Sequence, residues 1–174
     1  AGGQTSLTGS SVAEEGILFA TEGMGEPFDL RRDPETGGMT AVSGPGVFLG
    51  DFQRALEREG WFYPPDPTSR NEARLGATVA TNATGEDTLL YGPTRRWIRA
   101  LRVVTAGGEV RALRRSRGSN PREEKATAGY YLTGEPIDLL IGSEGTLGAI
   151  TEITVDLIAK PEIVFAGLAF FPDL

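Results

Sequence analysis

The sequence has 174 residues, enough for one ordinary domain with a sizeable core and short for a complete multi-domain enzyme. Glycine supplies 24 of them, roughly twice the usual share of about 7%, with no collagen-like period, while histidine and cysteine are both absent. Those absences exclude Ser-His-Asp and Cys-His nucleophiles, His- or Cys-based metal sites, disulfides and thiol redox work, and the net charge of −7 argues against general nucleic-acid binding.

In chain order, the apolar run at residues 16–20 predicts a strand. Residues 28–32 and 39–43 predict two more, joined as a hairpin through the turn residues 33–38. The clearest helix is expected over 49–59. There Leu49, Phe52 and Leu56 share one face, Asp51, Arg54, Glu57 and Arg58 face water, and Gly60 follows the C-terminus. A shorter helix is expected over 75–82. Residues 97–106 and 109–113 flank Gly107 and Gly108 as a second hairpin, and 136–141 predict a third helix. Ile153, Val155 and Leu157 alternate with Glu152, Thr154 and Asp156, the period of a strand with one buried face. A last apolar run covers 163–171. Strands outnumber helices and hairpins outnumber crossovers, which predicts an α+β fold with mixed or antiparallel sheets and flanking helices. No internal repeat is found.

Charge is uneven along the chain. Residues 95–125 hold ten Lys/Arg and three Glu, a local +7 that leaves −14 for the remainder. Residues 114–122 are polar and broken by Gly and Pro; they read as a solvated loop, with an anion or partner patch as the alternative. No run of about 18 apolar residues is present. Neither is a signal-peptide pattern, so a cytoplasmic setting is expected, with peripheral membrane association left open.

Three glycine-bearing segments are candidates for chemistry. In Gly2, Gly3, Gln4, Thr5, Ser6, Leu7, Thr8 and Gly9, small residues let backbone N–H groups converge on an oxygen-rich anion, with hydroxyls as further donors. The segment is neither a Walker A loop nor GxGxxG, and alone it reads equally as an ordinary loop. The second segment runs from Pro64, Pro65, Asp66, Pro67, Thr68 and Ser69 to Leu75, Gly76, Ala77, Thr78, Val79, Ala80, Thr81, Asn82, Ala83, Thr84 and Gly85. Its prolines favour an extended chain, and its small residues would let a flat ligand approach the backbone; a tightly packed turn and helix is the alternative. In the third, Gly142, Gly145 and Gly148 punctuate a stretch that includes Ser143, Glu144, Thr146 and Ile150. A tight loop facing a ligand and a structural turn both fit it.

Taken together, in this order and spacing, the segments resemble the FAD-binding (PCMH-type) domain of the vanillyl-alcohol-oxidase-like flavoproteins. The branch concerned includes glycolate oxidase subunits, D-lactate and D-2-hydroxyglutarate dehydrogenases and alkyldihydroxyacetonephosphate synthase. Residues 2–9 are similar to that family's pyrophosphate loop, 64–69 to its Pro-Pro-Asp-Pro-Gly-Ser, and 142–151 to its Gly-Ser-Glu-Gly-Thr-Leu-Gly-Ile-Ile-Thr nearly letter for letter. Tyr91, Gly92, Pro93, Thr94 and Arg95 match a Tyr-Gly-x-Thr-Arg, and residues 129–132 a Gly-Tyr-Asp-Leu.

The resemblance implies FAD held non-covalently, since neither His nor Cys is present to bond it. It implies cofactor contacts from Gly2 to Gly9 and from Pro65, Asp66, Thr68, Ser69, Gly76, Ala77, Thr81, Asn82, Thr84, Glu144, Gly145, Gly148 and Ile150. Residues 66–72 and 81–84 would line the ring and diphosphate, and 144–150 the ribityl and adenosine side. Gln4, Ala77 and Thr84 stand where the family carries glycine, which admits a weakened or shifted site.

Residues 1–160 are expected to be the FAD-binding domain without its N-terminal portion, and 161–174 the start of a C-terminal cap that would carry the catalytic groups. The implied parent is an FAD-linked oxidoreductase that oxidises a small 2-hydroxy acid and passes electrons to quinone, another flavoprotein or oxygen. This stretch alone is expected to be inactive. A flavin enzyme of the alkyldihydroxyacetonephosphate synthase type and a subunit that has lost the cofactor are the alternatives.

Overall fold

The computed structural model describes residues 1–5, 9, 12, 15, 17–25, 28–116, 118, 119, 129–132, 135–165, 167 and 170. The strands are β1 (Asp29–Arg32), β2 (Met39–Ser43), β3 (Trp61–Phe62), β4 (Ile98–Val104), β5 (Val110–Arg114), β6 (Ala149–Asp156) and β7 (Ile158–Ala159). The helices are α1 (Leu49–Arg58), α2 (Leu75–Ala80), α3 (Thr88–Tyr91) and α4 (Pro136–Leu140), with short 3-10 turns at Glu22–Met24 and Thr94–Trp97.

Five strands form one sheet in the order β1-β2-β6-β4-β5, antiparallel throughout. Both expected hairpins are present. In the first, Asp33 organises the turn by accepting the N–H groups of Glu35 and Thr36 at 2.9 and 2.8 Å, and Gly37 adopts φ 73°. In the second, Gly108 has φ 80°. The long strand β6 lies between them, with Ala41 opposite Val155 on one side and Leu101 opposite Ile153 on the other. The alternation read from residues 152–157 is real: Ile153, Val155 and Leu157 are buried. They share a core with Ala41, Leu101 and Val103, and with Leu49, Phe52 and Leu56 of α1.

Helix α1 matches its expected span and buries the expected face, and Gly60 follows it in the left-handed conformation at φ 81°. Its Gln53 points inward: Nε2 donates to the Tyr63 and Pro65 carbonyls at 3.0 and 2.9 Å. Helix α4 starts on a capping box in which Glu135 and Asp138 each accept the other's backbone N–H, with Pro136 in the first turn. The two-residue strands β3 and β7 pair with each other as a separate ribbon.

Three expectations fail. The run at 17–20 is not a strand: Ile17, Leu18 and Phe19 are exposed, and among the described residues its pairing is confined to Ala1, which donates to the Phe19 carbonyl and accepts the Thr21 N–H at 3.1 Å. The apolar run at 163–171 also reads as a strand, but its residues Ile163, Val164 and Phe165 form none and are exposed, while 166, 168, 169 and 171 lie outside the described residues. The basic stretch is not simply solvated, since Arg95 and Arg115 are buried against an acid. Residues 117 and 120–128 of that stretch lie outside the described residues. Among the described residues, no helix is long and apolar enough to cross a membrane.

Candidate functional site

The first two segments meet backbone to backbone. A Cβ on Gly3 would lie 2.0 Å from the Glu72 carbonyl oxygen, and one on Gly2 would lie 2.6 Å from the Ala77 Cβ. The Thr5 hydroxyl donates to that of Ser69 at 3.4 Å. Within the second segment, a Cβ on Gly85 would fall 1.7 Å from the Asp66 carbonyl oxygen, so the proline stretch and the turn after α2 touch along their main chains. The third segment joins the second through two backbone bonds, Gly142 N–H to Val79 C=O at 3.0 Å and Glu144 N–H to Ala80 C=O at 2.8 Å. Three stretches far apart in sequence therefore form one continuous loop cluster.

The backbone at this cluster is unusual. The described non-glycine residues with positive φ number three, one in each segment: Gln4 at 53°, Asn82 at 47° and Glu144 at 54°. Gly142 at 84° and Gly145 at 79° flank Glu144 in the third. Left-handed residues interleaved with ordinary ones can turn neighbouring N–H groups toward a common anion. In the third segment the N–H groups of Gly142, Ser143, Glu144 and Thr146 are taken by the carbonyls of Val79, Leu140, Ala80 and Ser143, which leaves the Gln4 turn as the candidate nest. Gln4 thus keeps the backbone conformation that a glycine would take there, at a cost of roughly 1–2 kcal/mol.

The residues expected to touch a cofactor divide into two groups. Gln4, Thr5, Thr68, Thr81, Glu144 and Gly145 are exposed at the cluster, and Gly2, Gly3, Asp66, Ser69, Ala77 and Thr84 are partly so, while Gly9 is exposed with no described cluster residue beside it. Pro65, Gly76 and Asn82 are buried. Gly76 is small because Pro45 packs on it, a Cβ there lying 2.5 Å from the Pro45 Cβ. Asn82 turns inward, its Oδ1 accepting the Arg95 N–H at 2.9 Å. Gly148 lies beside the Val104 carbonyl, and Ile150 packs against the core from β6. Ser6, Leu7 and Thr8 lie outside the described residues.

Sequence reasoning missed the ionic cluster behind these loops. Arg95 Nη1 donates to the Asp138 carbonyl at 2.6 Å and to its carboxylate at 3.0 Å, while Nη2 donates to the Ile141 carbonyl. Arg115 grips the same carboxylate from the other side at 2.7 and 3.0 Å. The Tyr131 ring lies 4.3 Å from the Arg95 guanidinium. Burial by itself would raise the Asp138 pKa, but hydrogen bonds and charge from Arg115 and then Arg95 outweigh it and hold the carboxyl below its ordinary value. For Arg95, burial lowers the pKa and Asp138 opposes the drop. The signal available in the sequence was the Arg95 of the Tyr-Gly-x-Thr-Arg match; Asp138, 43 positions away, carried none.

A diphosphate with a ribityl chain needs many neutral donors and a few acceptors in a shallow backbone cradle. The cluster offers the left-handed turn at Gln4, the Gln4 carboxamide and the Ser69 hydroxyl as donors, with the Glu144 carboxylate as acceptor; the Thr5 and Thr81 hydroxyls donate to Ser69 and to the Ala77 carbonyl and keep only acceptor capacity. The nearby Arg70 is already paired with Asp66 at 3.2 Å. This donor set fits FAD.

A family model described as an FAD binding domain matches residues 1–114. The chain belongs to that family. Over 99% of its length it is 36% identical to the glycolate oxidase subunit GlcD of Bacillus subtilis (strain 168), covering 34% of that protein. It is 32% identical over 99% of its length to the D-2-hydroxyglutarate dehydrogenase of Stutzerimonas stutzeri (strain A1501), again covering 34%. With the D-lactate dehydrogenase of Archaeoglobus fulgidus the identity is 37% over 90% of the chain and 32% of the relative. A solved structure of alkyldihydroxyacetonephosphate synthase superposes on this FAD binding domain with a TM-score of 0.71 at 25% identity, covering 94% of the chain and 29% of the synthase. The chain thus spans about a third of the length of the curated relatives it matches.

Proposed function

We propose that the full-length protein is an FAD-dependent oxidoreductase acting on a small 2-hydroxy acid such as glycolate, D-lactate or D-2-hydroxyglutarate. The observation that carries this reading is the convergence of the three glycine segments into one loop cluster, in a chain whose relatives are oxidases and dehydrogenases of such acids. The chemistry that FAD brings when bound is acceptance at flavin N5 of the hydride from the substrate α-carbon, the hydroxyl proton passing to a base to leave the 2-keto acid.

The part of this domain is binding and orientation. Backbone N–H groups of residues 2–5 and the Ser69 hydroxyl would hold the diphosphate without a lysine, which lets an acidic chain bind an anion. The loop at Glu144 and Gly145 would meet the ribityl and adenosine side, with the Glu144 carboxylate accepting from ribose hydroxyls. We assign no catalytic acid or base within this chain. The FAD-binding domain would run over residues 1–160, with 161–174 opening a cap; the pairing of β7 up to Ala159 supports the first of these bounds. Electrons would pass on to quinone, another flavoprotein or oxygen, in a cytoplasmic setting.

The test is anaerobic titration of the purified full-length protein with the three acids while flavin absorbance is followed. Bleaching by one of them is expected. A colourless protein that takes up no added FAD overturns the reading. A second reading, flavin chemistry without net oxidation as in alkyldihydroxyacetonephosphate synthase, is favoured by the structural likeness to that enzyme. A flavin that binds tightly and is bleached by none of the acids would select it.

A further inference from the structure

We propose that Arg95 is a positioning residue for the cofactor: from inside the core it clamps the second and third glycine segments together. The proposal rests on the FAD-binding reading above. At the surface the two segments are joined by two neutral bonds, Gly142 N–H to Val79 C=O and Glu144 N–H to Ala80 C=O. Behind them, Arg95 reaches both segments at once. Its backbone N–H donates to Asn82 Oδ1, which faces inward from the left-handed turn of the second segment. Its guanidinium donates to the Ile141 carbonyl, immediately before Gly142, and to the carbonyl and carboxylate of Asp138 in the first turn of α4.

Space at the joint is limited to match. A Cβ on Gly142 would lie 3.3 Å from the Asn82 Cβ and 3.4 Å from Arg95 Nη2, so Asn82, Gly142 and Arg95 pack as one layer. A planar fork is needed to bond Asp138 and Ile141 together; lysine has the charge but only a point donor on a flexible stem. Arg115 makes the contrast. It binds the same carboxylate, but its remaining bonds go to the Ile98 and Arg95 carbonyls and none goes to either glycine segment. Asp138 thus takes one arginine that reaches the cofactor loops and one that ties down β4.

Arg95→Lys and Arg115→Lys in the full-length protein separate positioning from bulk stability. Each variant is stripped of flavin, and three quantities are read: thermal midpoint of the apoprotein, FAD dissociation constant by fluorescence quenching, and visible circular dichroism of the reloaded flavin. Arg95→Lys is expected to weaken FAD binding by about tenfold or more and to change the flavin dichroism. Arg115→Lys is expected to lower the midpoint while leaving affinity and dichroism close to wild type. Equal losses of affinity in the two variants, or wild-type affinity in Arg95→Lys, overturn the proposal. If the lysine variant does not fold, Asn82→Gly takes its place: it keeps the left-handed backbone, removes the acceptor of the Arg95 N–H together with the Cβ beside Gly142, and so tests the main-chain arm of the clamp. Faster hydrogen exchange at the Gly142 and Glu144 amides is then expected, and wild-type exchange there overturns the proposal. A wild-type protein that binds no FAD would instead refute the functional reading on which the proposal rests.

Discussion

Gly85 is the tightest residue of the loop cluster. Its missing side chain leaves room for the Asp66 carbonyl, which would sit 1.7 Å from a Cβ and belongs to main chain that cannot rotate away. Gly85→Ala must therefore push the proline stretch off the turn, and a destabilisation of about 1–3 kcal/mol is expected in urea unfolding. Unchanged stability would mean that the two backbones are not in contact. This role was hidden in the sequence, where small residues read as room for a ligand; much of that room is taken by the protein's own backbone, as at Gly76 beneath Pro45. Arg95 and Arg115 were hidden for a related reason. Arg115 sits in the polar stretch 114–122, which reads as solvated, Arg95 shows only as part of a motif, and the acid that lets both be buried lies 43 positions from Arg95 and 23 from Arg115.

At the scale of elements, α1 does more than fill the core. Gln53 uses both amide hydrogens to hold the Tyr63 and Pro65 carbonyls, fixing the chain just where it enters the second glycine segment. Gln53→Leu keeps the size and strands two buried acceptors, each worth about 1–3 kcal/mol when unsatisfied. The variant is expected to unfold at lower urea and to bind FAD more weakly; loss of stability with unchanged affinity would confine Gln53 to the core. Helix α1 and both hairpins were legible because apolar spacing and turn residues pointed the same way. The ribbon of β3 and β7 was not, since two residues carry no period. Ile17, Leu18 and Phe19 show the converse, an apolar run that reads as a strand but is exposed and, among the described residues, bonded through its backbone only to the single residue Ala1.

For the whole molecule, acid resistance depends on a few buried carboxylates. Asp138 is held below its ordinary pKa as described. At Asp33, burial pushes upward, but the N–H groups of Thr36 and Glu35 and the charge of Arg114 prevail and lower it. A folded-state pKa below the unfolded value of about 3.9 adds stability that is fully present above that value and is lost as pH falls through the folded pKa. Stability should therefore be flat in this respect from neutral pH to about 5 and should fall below about 4. Asp138→Asn leaves two buried guanidinium groups without their anion and is expected to cost about 3–5 kcal/mol at neutral pH while flattening the acid limb. Urea unfolding measured from neutral to acid pH checks both effects. An acid limb as steep as wild type in Asp138→Asn would assign it to other carboxylates.

The place of β6 has a consequence for how the protein is made. It is the last of the five strands to leave the ribosome, yet it lies between β2 and β4. At about 5–20 residues per second, roughly 5–20 s separate the emergence of Ser43 from that of Ala149. During that interval the first hairpin carries a bare edge, and the second joins it with another before the strand that unites them exists. The nascent chain thus presents two open edges as templates for mispairing until residue 156 has emerged and β6 can close both.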